Sequence, residues 1–202
     1  MTDNLDADSY RDFLGYAKHL DGVTVLHDDG LYRHIQFGAR GAVGWFELAT
    51  WPNRLAITGD IGGWVFGKSA EDMFELFTKR DGDISPDYWQ EKVVAGAPVK
   101  EFSEDGFARQ VVEDFLQRRH EFAGERRALF REIREDVLEF VEYEHEARSN
   151  LEMFRYTPKN GGRAFTYRDT WEWNLSGWSV HYLRACHAIV WGINRYRQAV
   201  AK

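Results

Sequence analysis

The chain has 202 residues, 44% of them hydrophobic and 15% aromatic, which is enough for one sizeable core or for one core with a smaller satellite. Its single cysteine, Cys186, excludes an intramolecular disulfide framework and any metal site built from several thiolates. The formal net charge of −7 is uneven, because residues 1–150 carry 18 Lys and Arg against 30 Asp and Glu, whereas residues 151–202 carry 8 against 3. An acidic field over most of the surface repels phosphate backbones and favours basic partners.

The amino terminus and the longest apolar run bear on where the protein works. The first ten residues, MTDNLDADSY, are acidic and polar, with no basic region followed by an apolar run, so we expect neither a secretory signal nor a transit peptide. The longest apolar-leaning run, residues 185–193, is far shorter than the ~20 residues that cross a bilayer. We therefore expect a cytoplasmic protein without a membrane partner.

The first third of the chain combines one helix with several short strands. A helix is predicted from about Ser9 to Leu20, where apolar residues recur at helical spacing. Beyond Gly22 the pattern changes to short segments separated by glycine-containing turns, which is typical of hairpins. Five short strands are predicted, at residues 23–27, 31–37, 45–50, 54–58 and 64–66. Their short connections favour an antiparallel meander, because parallel strands need longer crossovers.

The rest of the chain is predicted to be mostly helical. A helix is expected at residues 70–79, a short one begins at Pro86, and residues 96–99 form a linker. From Ser103 to about Met153 the pattern predicts two helices or one long kinked helix. Its apolar stripes comprise Phe107, Val111, Phe115, Leu129, Ile133, Val137, Phe140 and Val141.

A loop at residues 157–163 precedes a last helix at about residues 177–199. The stripe of that helix, Tyr182, Cys186, Ile189, Ile193 and Tyr196, suits packing against another helix, either within the chain or in a homodimer. The sequence thus predicts an α+β protein. An amino-terminal module at residues 1–98 holds an antiparallel sheet of about five short strands with flanking helices, and a helical module follows at residues 99–202.

Two stretches carry a resemblance to known proteins. They are TWPNRLAITGDIGGWVFGKSAEDMFELF at residues 50–77 and ISPDYWQEKV at residues 84–93. Their order and spacing resemble a family of small uncharacterised proteins encoded by tailed phages and prophages. The resemblance covers roughly residues 20–120, and the helical remainder from about Phe122 looks like an extension. It implies a viral or prophage origin, and hence the cytoplasm of a bacterial host, but no reaction.

Two features in the chain suggest chemistry, and each has a simpler structural interpretation. The turn GDIGG at residues 59–63 exposes amides that can cradle a phosphate, yet no Lys-Ser/Thr follows, and a hairpin turn with Asp60 as an acceptor explains it as well. Glu142 and His145 have the spacing of half a di-iron motif. The other half is missing, and a solvated acidic helix face is the competing interpretation.

Histidines of the last helix give a third candidate. His181, Arg184 and His187 share one helix face and can bind an anion or simply pack, whereas Cys186 and His187 point about 100° apart and do not form a nucleophile–base pair. The sequence also lacks the Gly-x-Ser-x-Gly, His-Glu-x-x-His and Cys-x-x-Cys signatures. We therefore expect a protein that is not an enzyme, with no metal and no cofactor.

The aromatic and basic segment near the carboxyl end is the candidate binding site. Aromatic side chains between arginines form hot spots in protein interfaces and also stack single-stranded bases, although large aromatics fill cores too. The acidic remainder of the chain favours a protein partner over nucleic acid. The residues predicted to bind are Arg155, Arg163, Arg168, Trp171, Trp173 and Trp178.

Together these features predict a phage or prophage accessory protein that acts by stoichiometric protein binding. Such a protein would inhibit a host factor or a host defence system, for example as an anti-CRISPR or anti-restriction protein, and its partner would be a host or phage protein. Three alternatives stay open. They are nucleic-acid binding through the aromatic and basic segment, acidic mimicry of DNA by the first module, and a metal-dependent enzyme built around Glu142 and His145.

Overall fold

The computed structural model describes residues 2–70, 72–78, 83–159 and 161–201, with side chains from Ala7 onward. The chain divides into two compact units. One, here called the sheet unit, contains residues 1–99 and 178–202, and the other, the helical unit, contains residues 100–177. Among the described residues, no helix combines the length and the apolar character that a membrane span requires.

The sheet unit is built on one antiparallel sheet in which every strand pairs with the next in sequence. This confirms the predicted α+β class and the meander, with six strands instead of five. The added strand follows the short third helix, in a segment whose glycine and short length gave no strand signal. The strands are β1 Val23–Asp29, β2 Tyr32–Phe37, β3 Phe46–Trp51, β4 Arg54–Gly59, β5 Gly62–Gly67 and β6 Val93–Gly96.

One face of the sheet forms the core of this unit. Ile35 pairs with Leu48, Leu48 with Ile57, and Ile57 with Trp64, so these four buried side chains form one row across the sheet. Helices pack on that face. They are α1 Thr2–Ala17, α2 Met73–Phe77, α3 Pro86–Gln90 and α7 Val180–Val200. The predicted helix at residues 70–79 corresponds to α2, and Glu71 and Lys79 lie outside the described residues.

The last helix belongs to the sheet unit, which differs from the predicted module at residues 99–202. Its whole apolar stripe, from Tyr182 to Tyr196, is buried in the same cluster as the sheet's inner face. The stripe is therefore used inside the chain and is not available for a homodimer. The backbone N–H of Ser179, just before α7, donates to the carbonyl of Val99 at 3.0 Å. The residues that flank the helical unit on either side are therefore in direct contact.

The helical unit contains several helices and one short sheet. Its α-helices are α4 Glu104–Arg118, α5 Arg126–Ile133 and α6 Glu144–Met153, with 3-10 turns at Arg119–Phe122 and Thr170–Glu172 and a π-helical segment at Arg134–Leu138. Two short strands, β7 Lys100–Phe102 and β8 Ser176–Trp178, pair with each other. Ser103 begins α4, because its hydroxyl accepts a hydrogen bond from the N–H of Gly106 at 3.0 Å.

The predicted apolar stripes form the core of the helical unit, with one exception. Phe107, Val111, Ile133 and Val137 are buried together. Phe140, predicted in the same stripe, is exposed, because the helix ends after Leu138 and the helical period no longer applies. Where two helices or one long kinked helix were predicted up to Met153, the structure has three α-helices, with breaks at residues 119–125 and 139–143.

Candidate functional site

The interruption between the π-helical segment and α6 holds an aromatic side chain in an unusual place. Phe140 has a φ of 58°, in the left-handed region, and is 89% exposed to solvent. A residue with a Cβ atom pays about 1–2 kcal/mol for that backbone conformation. Its neighbour Val141 points inwards and is buried, so the turn at Phe140 is what keeps its ring in solvent. Both the backbone and the exposure of Phe140 are therefore unfavourable in the isolated protein.

Hydrogen bonds fix this turn to the beginning of α6. The carboxylate of Glu146 accepts from the backbone N–H of Glu142 at 3.0 Å and from that of Tyr143 at 3.1 Å. Amides before a helix otherwise lack partners, so a carboxylate in this position orders the entry into the helix. Tyr143 is 57% exposed and its ring stacks on that of His145, with centroids 5.7 Å apart. A second aromatic side chain therefore lies in solvent three residues after Phe140.

A third exposed aromatic residue lies on a turn that is hydrogen-bonded to α6. The guanidinium of Arg148 donates to the carboxylate of Glu144 at 2.6 Å and to the carbonyl of Thr170 at 3.0 Å. This bridge ties the 3-10 turn at Thr170–Glu172 to the first turns of α6. Trp171, within that turn, is 72% exposed. We call Phe140, Tyr143 and Trp171 the aromatic surface.

The charge next to the aromatic surface is strongly negative. Residues 135–146 contain six Asp and Glu and no Lys or Arg. Glu144 is paired with Arg148, and Glu146 caps the turn. The other four are exposed and form no ion pair within the described parts of the chain. They are Glu135, Asp136, Glu139 and Glu142.

The predicted binding residues are divided between surface and core. Arg155, Arg163 and Arg168 are exposed, and the ion pairs and hydrogen bonds between described residues include none of them. Trp173 is half-buried and packs edge-on against Tyr167 in the helical core, with centroids 5.6 Å apart. Of the predicted set, only Trp171 joins the aromatic surface.

Trp178, the last of the predicted binding residues, lies in the sheet unit. It is half-buried and stacks on Tyr182, with centroids 5.7 Å apart, so it packs on the core of that unit. A tryptophan in a core buries a large apolar area, and sequence alone does not separate this use from an exposed one. The sequence does not mark Phe140 and Tyr143 as site residues, because the spacing of the first fits a core stripe and the segment around the second is dominated by acidic residues.

The side chains of the last helix that could carry chemistry are used in packing and in an ion pair. His187 is buried, and its Nε2 lies 2.9 Å from the hydroxyl of Ser9. Burial lowers the pKa of His187 to about 4, so the imidazole is neutral near pH 7 and is a poor base for activating a serine. Burial also raises the pKa of the Cys186 thiol well above its usual range. Arg184 is paired with Asp12 of α1, with Nε and Oδ2 2.5 Å apart.

The other two chemical candidates also have structural roles or lack partners. The turn at residues 59–63 joins β4 to β5, and the Asp60 carboxylate accepts from the N–H of Gly44 at 2.7 Å. Glu142 lies before α6, which begins at Glu144, so Glu142 and His145 do not share a helix. Within the described ranges, no group of three or more His, Cys, Asp or Glu is placed to hold a metal ion.

Comparison of the chain with protein-family models, with curated proteins and with solved structures found no match in any of the three.

Proposed function

We propose that this protein acts by stoichiometric binding to another protein and that the aromatic surface of the helical unit is its binding site. The observation that carries the proposal is Phe140, which is 89% exposed and held in a left-handed backbone conformation by an ordered turn. A turn that keeps a large apolar ring in solvent is unfavourable unless another molecule covers it.

The size and type of these side chains suit a protein interface. Phe140, Tyr143 and Trp171 are bulky, and Glu146 and Arg148 hold the backbone around them through hydrogen bonds. Tyrosine and tryptophan are enriched among residues that dominate binding energy, and each large aromatic contributes about 2–3 kcal/mol when it is removed from water. An ordered backbone reduces the entropy lost on binding. Three such rings can form the centre of a protein interface, which polar residues around them would complete.

The charge defines the class of partner. Four unpaired acidic side chains lie within the segment that carries Phe140 and Tyr143. Charge complementarity steers association and selects among partners, so the partner presents Lys or Arg around an apolar recess. In the biological setting implied by the resemblance to phage and prophage proteins, the partner is a protein of the bacterial host, and binding inhibits it. A restriction or CRISPR component is a partner of this kind.

The proposal is tested by using the protein as bait in a bacterial lysate at physiological salt. The wild-type chain is compared with the double variant Phe140→Ala, Trp171→Ala and with the control Leu116→Ala, which truncates a half-exposed residue of α4. We expect the wild type and the control to retain one protein in about equal molar amount, and the double variant to retain at least about tenfold less. Recovery of no stoichiometric partner, or equal recovery by the double variant, would contradict the proposal.

A second candidate function follows from the three arginines predicted to bind. Arg155, Arg163 and Arg168 are exposed and available to phosphate groups. Nucleic-acid binding through them predicts an affinity that falls steeply with salt, and the variant Arg163→Ala, Arg168→Ala would reduce the slope of log K against log salt by about 2. The acidic field of the chain opposes this mode, so protein binding is the function that we favour. A fluorescence titration with a single-stranded oligonucleotide at two salt concentrations distinguishes nucleic-acid binding from protein binding.

A further inference from the structure

The sheet has a second face, and strand pairing shows which residues lie on it. Ala49 pairs with Ala56, Ala56 with Val65, and Val65 with Ala95. Directly paired residues point to the same side of a sheet, and neighbours along a strand point to opposite sides. These four residues therefore form one row on the side opposite the core. None of them belongs to either buried apolar cluster of the described residues.

Larger apolar side chains lie on the same face. Tyr32 is two residues before His34, which pairs with Ala49, and it is exposed. Trp51 is two residues after Ala49 and is 39% exposed. Val94, also exposed, lies beside the position that a Cβ of Gly67 would occupy on this side. We call Tyr32, Ala49, Trp51, Ala56, Val65, Val94 and Ala95 the outer sheet face.

Part of this side is more apolar than a sheet face in contact with water usually is. Antiparallel sheets that are covered on one side alternate apolar residues inwards with polar residues outwards. Here the middle row of the open side is alanine and valine across four strands, from β3 to β6. The polar residues of the same side are His27 and His34 on β1 and β2, and Gln36, Glu47 and Thr58 in the neighbouring row. A continuous apolar patch of this kind marks an interaction surface, and small side chains let another surface approach closely.

The charge on this face is balanced, in contrast to the chain as a whole. Its charged strand residues are Asp29, Glu47 and Arg54, and Arg40 reaches over it. Glu47 is buried, with its carboxylate 2.5 Å from Arg40 Nη2 and 2.9 Å from His34 Nε2. Two acids and two arginines give the face no net charge. Two copies of a chain with a net charge of −7 can approach here with the least repulsion.

The area of the face is sufficient for self-association. The whole open side, with its polar first strand included, has six strands about 4.8 Å apart and about 20 Å long and measures about 480 Å², so two copies that pack over all of it bury about 1,000 Å². That is the lower limit for a specific interface. We propose that a second copy of this chain covers the outer sheet face, with the two sheets packed face to face about a two-fold axis. The surface involved is in the sheet unit, so this inference is independent of the proposed partner of the helical unit.

The test measures the mass of the purified full chain by light scattering after gel filtration, over loading concentrations from about 1 to about 200 µM. We expect the mass to rise from 23.6 kDa towards twice that value. Ala56→Glu places a carboxylate in the middle of the outer sheet face, and we expect it to weaken dimerisation at least about tenfold. The matched control is Leu116→Glu on α4, which we expect to dimerise like the wild type.

A second variant guards against misfolding of the first. Trp51→Ala truncates a partly exposed ring without adding charge to a strand, and we expect it to weaken the dimer while the circular dichroism spectrum stays unchanged. A wild-type mass of 23.6 kDa over the whole concentration range would overturn the proposal. So would a dimer that both folded variants form as well as the wild type does.

Discussion

Two regions of the molecule use aromatic side chains in opposite ways. Between α7 and the sheet, Phe37 and Phe46 stack at 4.6 Å, and Trp191 lies edge-on to both. Around the start of α6, Phe140 and Trp171 lie in solvent on turns that hydrogen bonds hold in place. The first arrangement contributes to folding, whereas the second contributes little. If the aromatic surface binds a partner as proposed, stability and binding are carried by different residues, and single substitutions separate them.

The largest effect is expected in the sheet core. Trp64 is fully buried, packs edge-on against Tyr182, and donates its indole N–H to the carbonyl of Ala97 at 2.9 Å. Trp64→Ala leaves a large cavity and an unpaired carbonyl, so we expect a loss of about 4 kcal/mol in the free energy of unfolding. Urea denaturation measures it. A loss below about 1 kcal/mol would show that the sheet core is not what holds this unit together.

The next effect concerns pH and the buried His187. Its folded pKa is about 4, below the ordinary 6.5, so as pH falls from 6.5 the unfolded chain takes up a proton that the folded chain does not. The contribution of His187 to the free energy of unfolding is therefore fully present above pH 6.5, and roughly 3 kcal/mol of it is lost by pH 4. We expect His187→Phe to remove that part of the pH dependence, and the exposed control His120→Gln to keep it. Urea denaturation at pH 7, 5.5 and 4 gives the comparison.

A smaller effect is expected at the turn before α6. Glu146→Ala removes the acceptor of two backbone amides, and we expect it to lower stability by about 1–2 kcal/mol. Glu142→Ala is the matched control, because its side chain is exposed and unpaired, and its effect should stay within about 0.5 kcal/mol. Amide hydrogen exchange should rise at residues 139–143 in the first variant alone. Equal protection in both variants would mean that Glu146 does not order the turn.

The smallest effect on folding, and the sharpest contrast, is expected at Phe140. Glycine adopts a φ of 58° without strain, so Phe140→Gly should leave stability unchanged or raise it by up to about 1 kcal/mol. The same variant should lose partner binding in the bait experiment. Phe140→Ala keeps the strain and loses the ring, so it should lose binding without the gain in stability. A clear loss of stability in both variants would assign Phe140 a structural role.

The sequence predicted the sheet well because the short strands are separated by clear turn signals, such as the glycine turn at residues 59–63. It did not predict the break at Phe140. Residues 139–143 contain no Gly or Pro, and the apolar spacing continues through them, so periodicity placed Phe140 in the core. A turn that depends on a carboxylate three residues beyond it, Glu146, leaves no local signal. Five of the six strands could therefore be predicted from the sequence, whereas the exposed ring of Phe140 could not.

The tryptophans show a different limit of sequence reasoning. Trp171, Trp173 and Trp178 are the same residue type within one stretch of eight residues. The first is nevertheless exposed, and the other two pack on two different cores. The turn that carries Trp171 is held by Arg148, which is distant in sequence, and Trp178 packs on Tyr182 only because α7 lies in the core of the sheet unit. The assignment of α7 to the sheet unit depends on long-range packing in the same way. Local pattern alone does not distinguish an exposed tryptophan from a buried one.

The hydrogen bond between Ser179 and Val99 has a consequence for how this chain matures. Because the two ends of the helical unit meet, that unit is an insertion within the sheet unit, and α7 is synthesised only after the insertion is complete. On the ribosome, the part of the inner sheet face that α7 covers therefore stays open while some eighty further residues emerge, and the inserted unit has time to fold first. A gene in which a short glycine-rich linker replaces codons 100–177 should yield a protein that closes its core without that delay.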